Sequence, residues 1–319
     1  MNDEQRLCVG DAFHLDSRDR FRKLEAGQHR LVHYTSCEAA ESIIRNRRVW
    51  MRSASVMNDL HELKHGAACL VQALARPEGK RLLSVVNSVW SGLGDELERT
   101  MLWLINICLG PTYVACLSEH DAEEQSRGRL SMWRAYGGTS PVCVVLRNAP
   151  LVRNAPGLGV WAWPVDCRPA EGVAAYLGGV ADRIDQARDL LCWMPENEAL
   201  SEIRQAFRSV VLCTKHPGFS EEREWRVLHS PEYTVGLVET STRCVDGVLQ
   251  MVREVPLVGD HEAPGGVRGL PPAEFVDRIV VGPSRHQAAV GEALAEALCK
   301  AGAADAHERV VLSDIPLRC

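Results

Sequence analysis

The octet Asn58-Asp59-Leu60-His61-Glu62-Leu63-Lys64-His65 supports two chemistries, depending on where it is read from. From His61 it spells H-E-x-x-H, two histidines one helical turn apart that could hold zinc beside a general-base glutamate, as in a zinc metallohydrolase. From Asn58 it spells N-D-x-x-E, in which Asp59 caps a helix and Glu62 closes the capping box, a stabilisation of about 1 kcal/mol. Zinc also needs a third ligand. Ala68 and Val71 stand where the extended zinc motif would place glycine and histidine, and Lys64 sets a cation beside the would-be metal. The capped helix start, with no metal, is the expectation.

Three further runs carry reactive residue types. In Leu31-Val32-His33-Tyr34-Thr35-Ser36 a histidine sits inside an apolar strand, where its ring nitrogens must find partners. A backbone carbonyl would make His33 a core residue; a cleft would let it bind a hydroxyl or a phosphate. In Ser131-Met132-Trp133-Arg134-Ala135-Tyr136-Gly137-Gly138 the two rings lie three apart and share a helical face, as core or as the stacking wall of a base pocket. In Ser220-Glu221-Glu222-Arg223-Glu224-Trp225-Arg226, a strand that begins early enough sets Glu222, Glu224 and Arg226 on one face, opposite Arg223 and Trp225. Two carboxylates on one face repel unless water, Arg226 or a ligand lies between them. A solvated edge strand with cross-strand ion pairs is the plainer alternative.

The elements that must position these residues alternate between short strands and helices. Strands are expected at 31–34, 49–51, 113–117, 142–146, 161–165 and 225–228, with one or two more between 244 and 255. Thr35 or Ser36 caps a helix over 37–46. Residues 61–109 read as helices broken near Pro77-Glu78-Gly79 and Gly92-Leu93-Gly94, and two more helices occupy about 170–190 and 196–213. The polar stretch 118–127 reads as a loop, and 259–272, rich in Gly and Pro, as a mobile one. The end is a β-α-β unit: strand 277–281, helix 287–301, strand 309–312. The expected fold is α+β: an N-terminal extension over 1–29, then one domain over 30–315 with a mixed β-sheet core and helical insertions at about 61–109 and 170–213.

Composition limits the partners. The chain of 319 residues has a formal charge of −6, which gives no footprint for non-specific nucleic-acid binding. Arg45-Asn46-Arg47-Arg48 is the best candidate for a local basic cleft, although a solvated helix end whose cations suit the dipole is the simpler account. Twelve cysteines include no C-x-x-C pair and mostly sit among apolar residues, as reduced core cysteines do. The acidic start Met1-Asn2-Asp3-Glu4 resembles no export or transit signal. The most apolar stretch, Met101 to Leu117, is interrupted by Asn106, Gly110 and Pro111. A cytoplasmic protein with no membrane partner is expected.

Taken in order, His33-Tyr34-Thr35, Asn58-Asp59-x-x-Glu62, Met132-Trp133-x-x-Tyr136 and Glu222-x-Glu224-Trp225-Arg226, with the closing Ile279-Val280-Val281-Gly282, resemble the bacterial family known as domain of unknown function 2971. The likeness spans most of residues 30–315; Leu60 departs from it, since proline is common there. It makes Asn58, Asp59 and Glu62 the recurring elements of the octet, at the rim of a pocket, and leaves His61 and His65 outside the pattern. More remotely, a strand histidine, a mid-chain aromatic and a late-strand glutamate are similar to the H-Y-E arrangement of ADP-ribosyltransferases. That resemblance implies NAD as co-substrate. His33, with Tyr34, Thr35, Trp133, Tyr136 and Arg226, would bind it, and Tyr136 or Tyr34 would stack on nicotinamide. Glu224 would meet the nicotinamide ribose and stabilise an oxocarbenium-like transition state, and Glu222 would orient or deprotonate an unknown acceptor. Such an enzyme would suit a bacterial toxin or a phage-defence effector. The alternative from another class is a non-catalytic sensor that binds a nucleotide or a protein in the same cleft.

Overall fold

A computed structural model describes residues 3–56, 59–136, 138–152, 158–231, 236–245, 247–258 and 270–316. The protein is α+β, with a ten-stranded mixed sheet and, among the described residues, nine α-helices of six residues or more. Two compact units divide the chain. One is helical and takes Met1–Arg20, Ala54–Thr112 and Trp163–Glu221; the other carries the sheet and takes Phe21–Ser53, Tyr113–Ala162 and Glu222–Cys319. None of the described helices is long and apolar enough to cross a membrane.

The strands are β1 (Arg30–Ser36), β2 (Arg48–Ser53), β3 (Tyr113–His120), β4 (Pro141–Leu146), β5 (Trp161–Pro164), β6 (Asp166–Cys167), β7 (Thr214–Lys215), β8 (Glu224–His229), β9 (Glu239–Val245), β10 (Val248–Pro256), β11 (Val276–Val281) and β12 (Val310–Leu312). The helices are α1 (Asp3–Glu25), α2 (Cys37–Asn46), α3 (Asp59–Ala75), α4 (Pro77–Val89), α5 (Leu93–Leu109), α6 (Leu130–Ala135), α7 (Ala170–Gln186), α8 (Glu196–Cys213) and α9 (Gln287–Lys300).

The large sheet is forked. Its path runs β12-β11-β4-β1-β3-β2-β10-β9, with β8 beside β3 and β5 beside β8. β8 occupies one edge of β3 from Tyr113 to Ser118. The other edge is shared: Tyr113 and Val114 pair with β2, whereas Ser118, Glu119 and His120 pair with β1. β4 is buried at every residue, as a central strand of continuous apolar sequence must be. At the far end β11, α9 and β12 form a β-α-β unit around a parallel pair, as its sequence predicts. Ser36 caps α2, its hydroxyl accepting the Ala39 N–H at 3.2 Å.

In the helical unit α3, α4, α5, α7 and α8 pack with the two-residue parallel pair β6–β7. The helix breaks fall at Arg76 and at residues 90–92, beside the expected Pro and Gly positions. Stretch 118–127 departs from a plain loop: β3 continues to His120, and Glu124–Arg127 forms a helical turn. Of stretch 259–272, residues 259–269 lie outside the described part. The ten cysteines whose side chains are described are all free thiols.

Candidate functional site

Strand alternation decides which of the singled-out residues can meet. Val32 and Tyr34 belong to one hydrophobic layer, with Met132, Trp133, Cys143, Val145 and Val280. Leu31 belongs to the opposite layer, with Leu117, Val144 and Trp225. His33 and Thr35 therefore point to the Leu31 side and Tyr34 to the other. Glu224 lies directly across from Ser118, which lies across from Val32, so Glu224 and Arg226 share the Tyr34 face. The sheet itself separates His33 from Glu224.

His33 stands at the fork. Its Nδ1–H donates to the Cys116 carbonyl at 3.0 Å, between the residues of β3 that pair with β2 and those that pair with β1. Burial pushes its pKa down, so the ring is neutral at pH 7. The half-buried ring serves a carbonyl where the ladder is interrupted.

On the Tyr34 face the side chains close on one another. The Tyr34 hydroxyl accepts the Arg129 backbone N–H at 2.7 Å and donates to His120 Nε2, also at 2.7 Å. Burial drives the Tyr34 pKa well above the phenolic range and lowers that of His120 to about 4, so both are neutral at pH 7. With Nε2 accepting, the His120 proton is on Nδ1, which is buried without a partner among the described residues. The Arg129 guanidinium holds Glu124 through both carboxylate oxygens, at 2.8 and 3.0 Å. It also donates to Ser118 Oγ and the Glu119 carbonyl. Arg223 reaches the same Glu124 at 2.8 Å. Beside them Arg226 Nε donates to Glu224 Oε1 at 2.9 Å, with the two side chains 0% and 5% exposed.

Trp133 is core. Its ring lies 4.8 Å from that of Tyr34, and its indole N–H donates to the Arg127 carbonyl. A Cβ on Gly128 or Gly282 would stand 2.3 or 2.8 Å from the ring, so both glycines are required by its bulk. This accounts for the closing glycine of the Ile279–Gly282 run. Tyr136 does not share the Trp133 environment: α6 ends at Ala135, and Tyr136 is extended and exposed.

The alternation drawn for Glu222, Glu224 and Arg226 needs correction. β8 begins at Glu224; Glu222 ends a 3-10 segment, and Arg223 between them has φ +42°, in the left-handed region. That single residue breaks the two-residue period. Glu222 takes part through its carbonyl, which accepts from Ser118 Oγ at 2.6 Å. Trp225 points to the opposite face, fully buried, and donates to Glu119 Oε2 at 2.8 Å.

The octet belongs to the helical unit. Asn58 lies outside the described residues, as does the side chain of Asp59, the first residue of α3. Glu62 meets Lys215 Nζ at 3.0 Å, with the ammonium over the Phe219 ring at 4.6 Å. His61 is exposed, and His65 lies against the Cys69 thiol. Among the described residues no group of three His, Cys, Asp or Glu side chains could hold a metal ion.

His120, Arg129, Ser118 and Glu124 complete the Tyr34 network, and sequence reasoning passed over all four. Ser118, His120 and Tyr34 meet through strand register. Glu124 arrives from a stretch that reads as a polar loop, and Arg129 is the residue before α6. No protein-family model, no curated protein and no solved structure matches the chain.

Proposed function

We propose that the chain is a non-catalytic binding module, in preference to a transferase that cleaves NAD or a zinc hydrolase. The observation that carries this reading is the placement of His33 and Glu224 on opposite faces of one sheet. A transferase would need the ribose-binding histidine and the glutamate in one pocket. Each is also engaged in a structural role, His33 with the Cys116 carbonyl and Glu224 with Arg226. A carboxylate whose charge is matched at 2.9 Å has little left to offer a developing cation. Tyr34, Trp133, Trp225, Arg226 and Gly282, among the residues that carry the resemblance to domain of unknown function 2971, are taken up in packing or ion pairing, which supports a structural rather than a catalytic reading of that pattern. Intact protein mixed with NAD should release no nicotinamide above a protein-free blank. Release that is abolished by Glu224→Gln would establish the transferase instead.

A further inference from the structure

We propose that the ligand of this module is a mononucleotide, held where α2 meets β2 and β9; this rests on the binding-module reading above. Ser42, Asn46, Arg48, Trp50 and Arg243 line a depression of about 530 Å3. That is within the range of small-molecule sites, which run from about 300 to 1,000 Å3.

Register builds the floor. β10 pairs with β2 and β9 so that Glu254 lies opposite both Trp50 and Glu239, and Gln250 lies opposite Arg243. Arg48 and Trp50 of β2, Glu254 of β10, and Glu239, Ser241 and Arg243 of β9 consequently share a face. Glu254, only 4% exposed, fixes the two arginines: Arg243 Nη2 lies 2.6 Å and Arg48 Nε 3.5 Å from its oxygens. Ser241 adds a third contact, its hydroxyl donating to Glu254 at 2.5 Å. The Arg243 guanidinium also lies over the Trp50 ring, 5.4 Å from its centroid. A cation–indole pair anchored by a buried carboxylate offers a flat platform at small entropic cost to a ligand.

The chemistry of the lining selects the ligand. Trp50 and the planar guanidinium suit an aromatic base. Asn46 and Ser42, already joined by a 2.9 Å hydrogen bond, offer amide and hydroxyl groups to a sugar or base edge. Arg48 is the phosphate ligand: its present partner at 2.8 Å is Glu239, whose side chain is 61% exposed. An exposed carboxylate on a fork-shaped donor is readily exchanged for a phosphate. Arg45 and Arg47 on the adjoining helix end, both exposed, add local positive charge to a chain whose formal charge is −6. That overall charge disfavours a long polyanion and favours a ligand with few phosphates.

Isothermal titration of the intact chain with AMP, ATP and NAD, and with inorganic phosphate, tests the site. AMP or ATP should bind, more tightly than phosphate alone and than the dinucleotide NAD. Arg48→Ala and Trp50→Leu should each weaken it at least about tenfold, while Trp50→Phe, which keeps a ring, should cost less than about threefold. Glu239→Gln should tighten binding by about threefold, since it removes the internal competitor for Arg48. Arg243→Ala strips a partner from buried Glu254, so Trp50→Leu and Glu239→Gln carry the test if that variant does not fold. No binding of AMP or ATP, or binding no tighter than that of phosphate, overturns the proposal. Binding that Arg48→Ala and Trp50→Leu leave unchanged also overturns it, and then the module reading stands with its ligand elsewhere. Nicotinamide release lost in Glu224→Gln and kept in Trp50→Leu would overturn the module reading instead.

Discussion

Arginine–glutamate clusters sit on both sides of β3, around β8 and across β2, β10 and β9, and they differ in what water reaches. Around β8 the pair Arg226–Glu224 is closed off, at 0% and 5% side-chain exposure, and Arg129 is 8% exposed. In the cluster on the β2–β10–β9 branch Glu254 is buried, whereas Arg48, Arg243 and Glu239 are 32%, 42% and 61% exposed. The same residue types therefore do different work. Buried, each charge depends on its partner, because neither can return to water when the other is lost. Exposed, each can trade its partner for solvent or for a ligand. The branch holding the sequence motifs is the rigid one, and the branch the motifs pass over is the one open to exchange.

The sharpest way to break this contrast is to remove one buried charge. Glu224→Leu takes the carboxylate at 2.9 Å away from the buried Arg226 guanidinium and should destabilise the protein by about 3–5 kcal/mol. The double variant Glu224→Leu/Arg226→Leu should recover most of that loss, since an apolar pair of similar volume has no charge to desolvate. Urea denaturation of the two variants and the wild type measures the difference. Equal destabilisation of the single and double variants would show that Glu224 matters for something other than its partner.

The Tyr34 network gives the next largest effect, through pH. His120 has its folded pKa depressed to about 4, against an ordinary 6.5, because burial disfavours the imidazolium. Between those values the unfolded chain binds the extra proton, so stability rises with pH across this window and is lost as pH falls from about 6.5 to 4. The full loss is about 3 kcal/mol. A denaturation series from pH 7 to 4 should show it, and His120→Leu should flatten that part of the profile. Tyr34→Phe is expected to cost about 1–3 kcal/mol, since it leaves the Arg129 N–H without its acceptor and His120 Nε2 without its donor. A Tyr34→Phe protein as stable as wild type would mean that this network carries no weight.

Much of this architecture is legible in the chain because period and punctuation are local. The short apolar run Leu31-Val32-His33-Tyr34 finds β1, and Ser36 marks the start of α2. The continuous run of β4 marks a central strand, and Gly282-Pro283 closes β11 before α9. One lesson about the site was also readable. His33 and Tyr34 are neighbours in a strand, so they point to opposite faces and cannot line one pocket. Other features have no local signal. Arginine seldom adopts positive φ, so nothing in the run marks Arg223 as the residue that takes Glu222 out of the strand. The meeting of Tyr34 with His120 and Arg129 joins segments about ninety residues apart. The depression likewise depends on register among β2, β9 and β10.

The smallest expected effect is the most discriminating for the open branch. Glu239→Gln removes an exposed carboxylate from Arg48 and should change unfolding free energy by less than about 0.5 kcal/mol. Arg48 keeps a second carboxylate in Glu254, 3.5 Å from its Nε, so no buried charge is uncovered. Set beside Glu224→Leu, this change in a carboxylate of the same sheet should differ several-fold in cost because water reaches one and not the other. A thermal melt that moves by less than about 2 °C fits an exchangeable partner. A loss near that of Glu224→Leu would make Glu239 a structural member of its branch, and both clusters would then be equally closed.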